Sequence, residues 1–134
     1  MHYIYVYMIG KTPVYVGETE NVLKRNRQHY EKSFWHNKCD SIYFAPVTSQ
    51  ELAEIYESYL INKYDDILYN SQHPDLWKKH HNLPEQLRKL KWHQINLDEI
   101  NHIKNGSDAA RYYWYCYDNK KPYREYIFDM CTKY

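Results

Sequence analysis

Four residues near the start of the chain have the types and spacing needed to handle a phosphate ester. Tyr5 and Tyr15 stand in two apolar runs on either side of a break that contains Gly10, which is the pattern of a β-hairpin. Arg25 and His29 follow, four residues apart, so a helix would place them on one face. Two phenols facing a guanidinium and an imidazole could bind a phosphate and relay a proton.

The elements that must position these residues are predicted over the first half of the chain. Three runs rich in β-branched and aromatic residues predict strands. They are Tyr3–Ile9, Pro13–Val16 and Ser41–Val47. A helix is expected over residues 21–30, capped by Thr19 or Asn21. Together they indicate a small, three-stranded, largely antiparallel sheet with helices on its sides.

A second helix is predicted after the third strand. Thr48 and Glu51 have the spacing of a capping box, and Asp65 marks the end of the helical pattern. Its buried stripe recurs at helical spacing. The stripe comprises Leu52, Ile55, Tyr56, Tyr59 and Leu60. Glu57 falls to one side of it, where a carboxylate stays wet enough to hold a hard metal ion.

The first half of the chain resembles the GIY-YIG nuclease family. Residues 3–5, Tyr-Ile-Tyr, stand where the family has its first tripeptide, with Tyr3 in place of the first glycine, and residues 15–17, Tyr-Val-Gly, match the second. Arg25 and His29 fit the family intervals beyond the second motif. Residues 57–61 and 67–70 resemble the helix with the metal-binding Glu and the segment with the closing Asn.

The resemblance implies roles for the residues that handle the phosphate and the attacking water. Tyr5 and Tyr15 would orient or deprotonate the water, although a free phenol is a poor base near neutral pH. Arg25 offers a planar, permanently charged fork for phosphate oxygens. His29 would relay a proton.

The resemblance also implies one divalent ion, Mg²⁺ or Mn²⁺, held by Glu57. Few protein groups and several waters suffice, because Mg²⁺ gives up its water reluctantly. Asn70 would tie its loop to the site through its amide, and Gly17 would allow a close backbone approach.

Each site residue also has an ordinary structural reading. Glu57 alone would be a solvated helix carboxylate, Arg25 a surface cation and His29 a structural histidine. Tyr5 and Tyr15 would be packed sheet residues. The ordered set therefore favours the nuclease more than any single member does.

Composition and length limit the classes of protein to which this chain can belong. The 134 residues form one domain, or one small domain with an appendage. No apolar run approaches the length needed to span a bilayer. Cys39, Cys116 and Cys131 are odd in number, without a CxxC pair, which predicts a reducing, cytoplasmic setting.

Charge divides the chain into two unlike parts, residues 1–70 and 71–134. The first holds seven Lys and Arg against nine Asp and Glu, and the second eleven against eight. The second part interleaves cations with aromatic residues, as a phosphate- and base-contacting surface does, but also as an ordinary amphipathic helix does. Its candidate DNA-contacting cations are Lys78, Lys79, Arg88, Lys89 and Lys91.

The second part is predicted to be a helical and β-hairpin extension packed on the nuclease core. Helices are expected near Asp75–His80, Glu85–Trp92 and Leu97–Lys104. Arg111–Tyr117 and Tyr123–Phe128 predict a hairpin, which could be a dimer edge, a DNA-reading ribbon or core.

The sequence thus predicts an α/β (α+β) protein acting as a metal-dependent DNA endonuclease. Its small size is typical of a phage or mobile-element nuclease. The sequence is also compatible with a homodimer. The alternative is a catalytically silent module that binds nucleic acid or another protein, including as an inhibitor.

Overall fold

The computed structural model describes residues 1–72 and 74–101. The predicted hairpin over Arg111–Tyr117 and Tyr123–Phe128 lies outside the described residues, as does the end of the predicted helix Leu97–Lys104. Within the described part, no helix is both long and apolar enough to cross a membrane.

A four-stranded antiparallel sheet forms the centre of the fold. Its strands are β1 (His2–Ile9), β2 (Thr12–Thr19), β3 (Ser41–Val47) and β4 (His93–Asn96), in the order β2-β1-β3-β4. The predicted antiparallel sheet of an α+β fold is confirmed, and it gains one strand. β4 was missed because it has only four residues; it pairs with β3, with Ile42 opposite Ile95.

Helices cover both faces of the sheet. They are α1 (Val22–Lys32), α2 (Gln50–Lys63), α3 (Leu83–Lys89) and α4 (Leu97–Asn101), with 3₁₀ helices at His36–Lys38 and Leu76–Lys79. The predicted helices at Asp75–His80 and Glu85–Trp92 are therefore shorter or displaced. A single 3₁₀ turn replaces the first, and α3 begins two residues earlier than the second.

The caps of the two main helices differ in how well the sequence predicts them. Asn21 caps α1, and its side chain accepts a hydrogen bond from the Lys24 amide at 3.0 Å. Ser49 caps α2 by accepting from the Leu52 amide at 3.1 Å. The expected cap at Thr48 was wrong by one residue, because the two adjacent hydroxyls differ only in backbone position.

The two faces of the sheet carry separate cores, as strand alternation requires. Ile4, Val6 and Val16 pack toward α2. Tyr5 and Tyr7 point to the opposite face, toward α1 and Trp35. Tyr3, which replaces the family's first glycine, lies on this second face with its ring edge-on to Phe44 at 6.0 Å.

Candidate active site

The hydroxyl of Tyr5 joins the sheet to helix α1. Its oxygen lies 2.9 Å from Nε2 of His29 and 3.3 Å from Nε of Arg25. Arg25 and His29 are one turn apart, so the same face of α1 presents both. His29 Nδ1 lies 2.9 Å from the hydroxyl of Ser33.

Burial fixes the protonation of this group. It raises the pKa of Tyr5 well above the ordinary phenol value, so the hydroxyl keeps its proton. Burial, with a smaller contribution from the positive charge of Arg25, lowers the pKa of His29 to about 4. Tyr5 accepts from Arg25, and neutral His29 can accept from the Tyr5 hydroxyl at Nε2 in the tautomer that donates from Nδ1 to Ser33.

Tyr15 is held by stacking. Its ring lies parallel to that of Trp35, with centroids 4.7 Å apart, and edge-on to His29 at 4.8 Å. The Tyr5 and Tyr15 rings are 6.4 Å apart and nearly parallel. Two neighbouring strands thus present both phenols to one place.

Gly17 makes room for Tyr5. The two residues are direct partners in the β1–β2 register. A Cβ built at position 17 would overlap the hydroxyl and ring of Tyr5. The need for glycine here comes from this overlap.

Glu57 approaches the site from α2. Its side chain is half-buried, and burial, then the charge of Glu18, raises the pKa of its carboxyl to about 7. The backbone amide of Glu18 partly offsets this by donating a hydrogen bond to Glu57. Glu18 itself lies 3.4 Å from the ring of His2.

Asn70 ties its segment to the outer edge of the sheet. Its side-chain oxygen accepts from the Val16 amide at 3.0 Å, and its amide nitrogen donates to the Val16 carbonyl at 2.7 Å. Nearby, the Tyr69 amide donates to the Val14 carbonyl at 2.8 Å. The segment therefore continues the sheet at the open side of β2.

These side chains surround one polar pocket of about 360 Å³. Of the predicted site residues, its wall contains Tyr5, Tyr15, Gly17, Arg25, Glu57 and Asn70. His29 stands behind Tyr5 and contacts its hydroxyl. Glu18, Ser71, Gln72 and Pro74 also line the pocket, so the wall continues past residue 70.

One family model matches the part of the chain that forms this pocket. The model of the GIY-YIG catalytic domain matches residues 1–70. The chain belongs to the GIY-YIG family. No curated protein and no solved structure matched the chain.

The donor set of this GIY-YIG pocket fits a hard divalent cation. Glu57 supplies a carboxylate whose pKa is raised first by burial and then by the charge of Glu18, and Arg25 offsets this only weakly. Within residues 1–72 and 74–101, no group of three or more His, Cys, Asp or Glu side chains could hold a metal. If Mg²⁺ or Mn²⁺ binds in this pocket, Glu57 is the carboxylate that could hold it, with waters completing the shell.

The sequence indicated no role for Glu18 or Ser33. Ser33 follows His29 by four residues, a spacing that could have identified it. Glu18 gave no signal, because its contact with Glu57 joins β2 to α2 across the fold.

The candidate DNA-contacting cations lie on the surface, outside the pocket wall. All five, Lys78, Lys79, Arg88, Lys89 and Lys91, are exposed. Lys78 faces Asp75 at 3.8 Å, and Lys89 faces Glu85 at 3.3 Å. Such exposed pairs are weak and leave these lysines available to a polyanion.

Proposed function

We propose that this GIY-YIG protein is a metal-dependent DNA endonuclease that hydrolyses a phosphodiester with an activated water. The observation that carries the proposal is the hydrogen-bonded chain from Arg25 through Tyr5 to His29, in a pocket that Glu57 enters from the other side. The pocket wall is strongly polar and includes a guanidinium, as a phosphate site requires.

Proton transfer follows the hydrogen bonds. Water forms a bond to phosphorus and gives its proton to the Tyr5 oxygen, while the Tyr5 proton moves to His29 Nε2. The bond from phosphorus to the departing sugar oxygen breaks, and that oxygen takes up a proton from solvent. A nitrogen whose pKa is about 4 accepts a proton only when its donor has become acidic. Transfer therefore accompanies attack on phosphorus, and His29 afterwards releases its proton to solvent.

The remaining pocket residues bind and orient the substrate. Arg25 neutralises phosphate oxygens as charge develops on them. Tyr15, locked against Trp35, supplies a second hydroxyl to position the water. A divalent ion on Glu57, when bound, would supply electrophilic stabilisation of the phosphate and the departing oxygen.

The decisive experiment compares two carboxylate substitutions on one helix. Purified protein is incubated with plasmid, duplex, branched and single-stranded DNA in Mg²⁺ or Mn²⁺. Glu57→Ala should lower the cleavage rate by about a hundredfold or more, whereas Glu51→Ala, at an exposed position, should leave it unchanged. Cleavage of no substrate, or equal rates for both variants, would contradict the proposal.

The second candidate is a non-catalytic binding module. Its support is the excess of two acidic residues in residues 1–70, which is unusual in a core that faces DNA. DNA binding that is indifferent to Glu57→Ala and to divalent metal, without cleavage, would favour this module.

A further inference from the structure

Two aromatic side chains project from the surface of the protein and contact each other. Phe34 is 72% exposed and Tyr69 is 43% exposed. Their rings meet edge-to-face, with centroids 5.0 Å apart, although they lie 35 residues apart in the sequence. The chain turns Trp35 inward, to 4% exposure, while its neighbour Phe34 points out.

A cation accompanies the pair. Nζ of Lys38 lies 6.0 Å from the centre of the Tyr69 ring, near the outer limit of a cation–π contact. An aromatic surface with a cation beside it matches the chemistry of a nucleotide, because the rings stack on a base and the ammonium attracts a phosphate.

Both members of the pair are next in the chain to residues that belong to the site or contact it. Tyr69 directly precedes Asn70, which lines the pocket. On the other side, Phe34 lies between Ser33, which contacts His29, and Trp35, which stacks on Tyr15. This adjacency is the basis for placing the aromatic pair on the path of a strand whose phosphate occupies the pocket.

We infer that Phe34, Tyr69 and Lys38 form a stacking platform for one unpaired nucleobase next to the phosphate that is cleaved. The inference rests on the proposed nuclease function and adds its substrate class: DNA with a base outside the double helix. A fully paired base has no free face to offer the rings. The base is either already single-stranded, at a gap or branch, or is drawn out of the duplex.

Binding measurements without cleavage test the platform directly. Fluorescence anisotropy in EDTA gives the dissociation constants for three labelled DNAs of equal length. One has a short single-stranded gap, the second has the same gap with abasic sugars, and the third is fully paired. The abasic gap keeps every phosphate and lacks only the nucleobases. Wild-type protein should bind the gap with bases about tenfold more tightly than the abasic gap.

Matched variants separate stacking from other effects. Phe34→Ala and Tyr69→Ala should bring the ratio of the two gap affinities close to one, while Phe34→Trp should keep it. Phe34→Leu retains apolar bulk without an aromatic face, so it should also bring the ratio of the two gap affinities close to one. Ile9→Ala, an exposed apolar truncation at the hairpin turn, should behave as wild type.

The fully paired DNA identifies the source of the base. Weaker binding of paired DNA by Phe34→Ala means that the base is drawn from the duplex. Unchanged binding of paired DNA, with loss of the gap preference, means that the base is already unpaired. Both results support the platform.

The platform and the nuclease can fail separately. A wild-type ratio near one, or a ratio that Phe34→Ala does not change, overturns the platform even if the protein cleaves DNA. If the ratio of the two gap affinities depends on Phe34, the platform is supported even when no DNA is cleaved. Sedimentation adds one more contradictory result: if Phe34→Ala alters only the oligomeric state, the surface is a contact between copies of this chain.

Discussion

In the proposed reaction Tyr5 does not activate water by ionising first, because burial raises the pKa of the phenol well above its ordinary value although the hydrogen bond from Arg25 lowers it. It can act only by passing its proton on while it receives another. His29 is placed for this, 2.9 Å from the Tyr5 oxygen, and the Ser33 hydroxyl can accept from Nδ1 in the tautomer that leaves Nε2 free to accept. The chemistry of this phenol therefore depends on a residue that does not line the pocket.

Gly17 provides a test at the scale of a single methyl group. Gly17→Ala should displace the Tyr5 ring, lower stability by about 1–3 kcal/mol and lower the cleavage rate. Gly10→Ala is the matched control, because Gly10 has a φ of +56° with open space around it. Its backbone strain should cost about 1 kcal/mol without changing the rate. Urea denaturation and initial cleavage rates measure both, and equal rates for the two variants would refute the role of Gly17.

His29 provides a second test, in acid. Its folded-state pKa of about 4 lies below the ordinary value of about 6.5, so between these values the unfolded chain binds the extra proton. The contribution of neutral His29 to the free energy of unfolding is complete above about pH 6.5 and is lost as the pH falls toward 4. Wild-type protein should lose up to about 3 kcal/mol more stability than His29→Gln over this range. Parallel curves of unfolding free energy against pH would contradict this expectation.

At the scale of elements, the site depends on how the open edge of the sheet is closed. β2 is an outer strand, and such an edge leaves amides and carbonyls unpaired. Asn70 satisfies both backbone groups of Val16 with one side-chain amide. This contact also holds the segment that leads from Tyr69 to the pocket wall.

Removing this contact should loosen the edge without disturbing the core. Asn70→Ala should cost about 1–3 kcal/mol, because two partly buried backbone groups lose their partner. Amide hydrogen exchange at Val16 should become faster, while Asn62→Ala, at an exposed position on α2, should leave it unchanged. Slow exchange at Val16 in Asn70→Ala would mean that another group closes the edge.

The sequence predicted elements whose signals are local and missed those that depend on tertiary pairing. The predicted strand Ser41–Val47 has the observed bounds because the run after Ser41 is apolar or aromatic. β4 has one strongly apolar residue, Ile95, and becomes a strand only because the edge of β3 is available. At the site, Arg25 and His29 follow from helical spacing. The contact between Glu18 and Glu57 could not be predicted, because it depends on how α2 crosses the sheet.

At the scale of the whole molecule, the segment that carries the five candidate DNA-contacting cations, residues 74–96, is attached to the rest of the fold at both ends. Pro74 belongs to the pocket wall, and β4 pairs with β3 on the far side of the sheet. Between them, Leu83 and Leu87 pack into the core next to α2. The exposed cations of this segment are therefore held on a fixed surface that begins at the pocket.

This arrangement predicts that the surface cations contribute affinity and not chemistry. Replacing Lys78, Lys79, Arg88, Lys89 and Lys91 by Ala should weaken duplex binding. Each lost phosphate contact should reduce the slope of log affinity against log salt by about 0.9. Turnover at saturating DNA should stay near the wild-type value, because such contacts stabilise ground state and transition state equally. Lys11→Ala, at the hairpin turn, is the control and should preserve the slope.

An unchanged slope in the variant with all five substitutions would mean that these cations form an ordinary solvated surface. A collapse of turnover in a variant that still folds would instead mean that the chain after residue 70 completes the catalytic site, as its place in the pocket wall would allow.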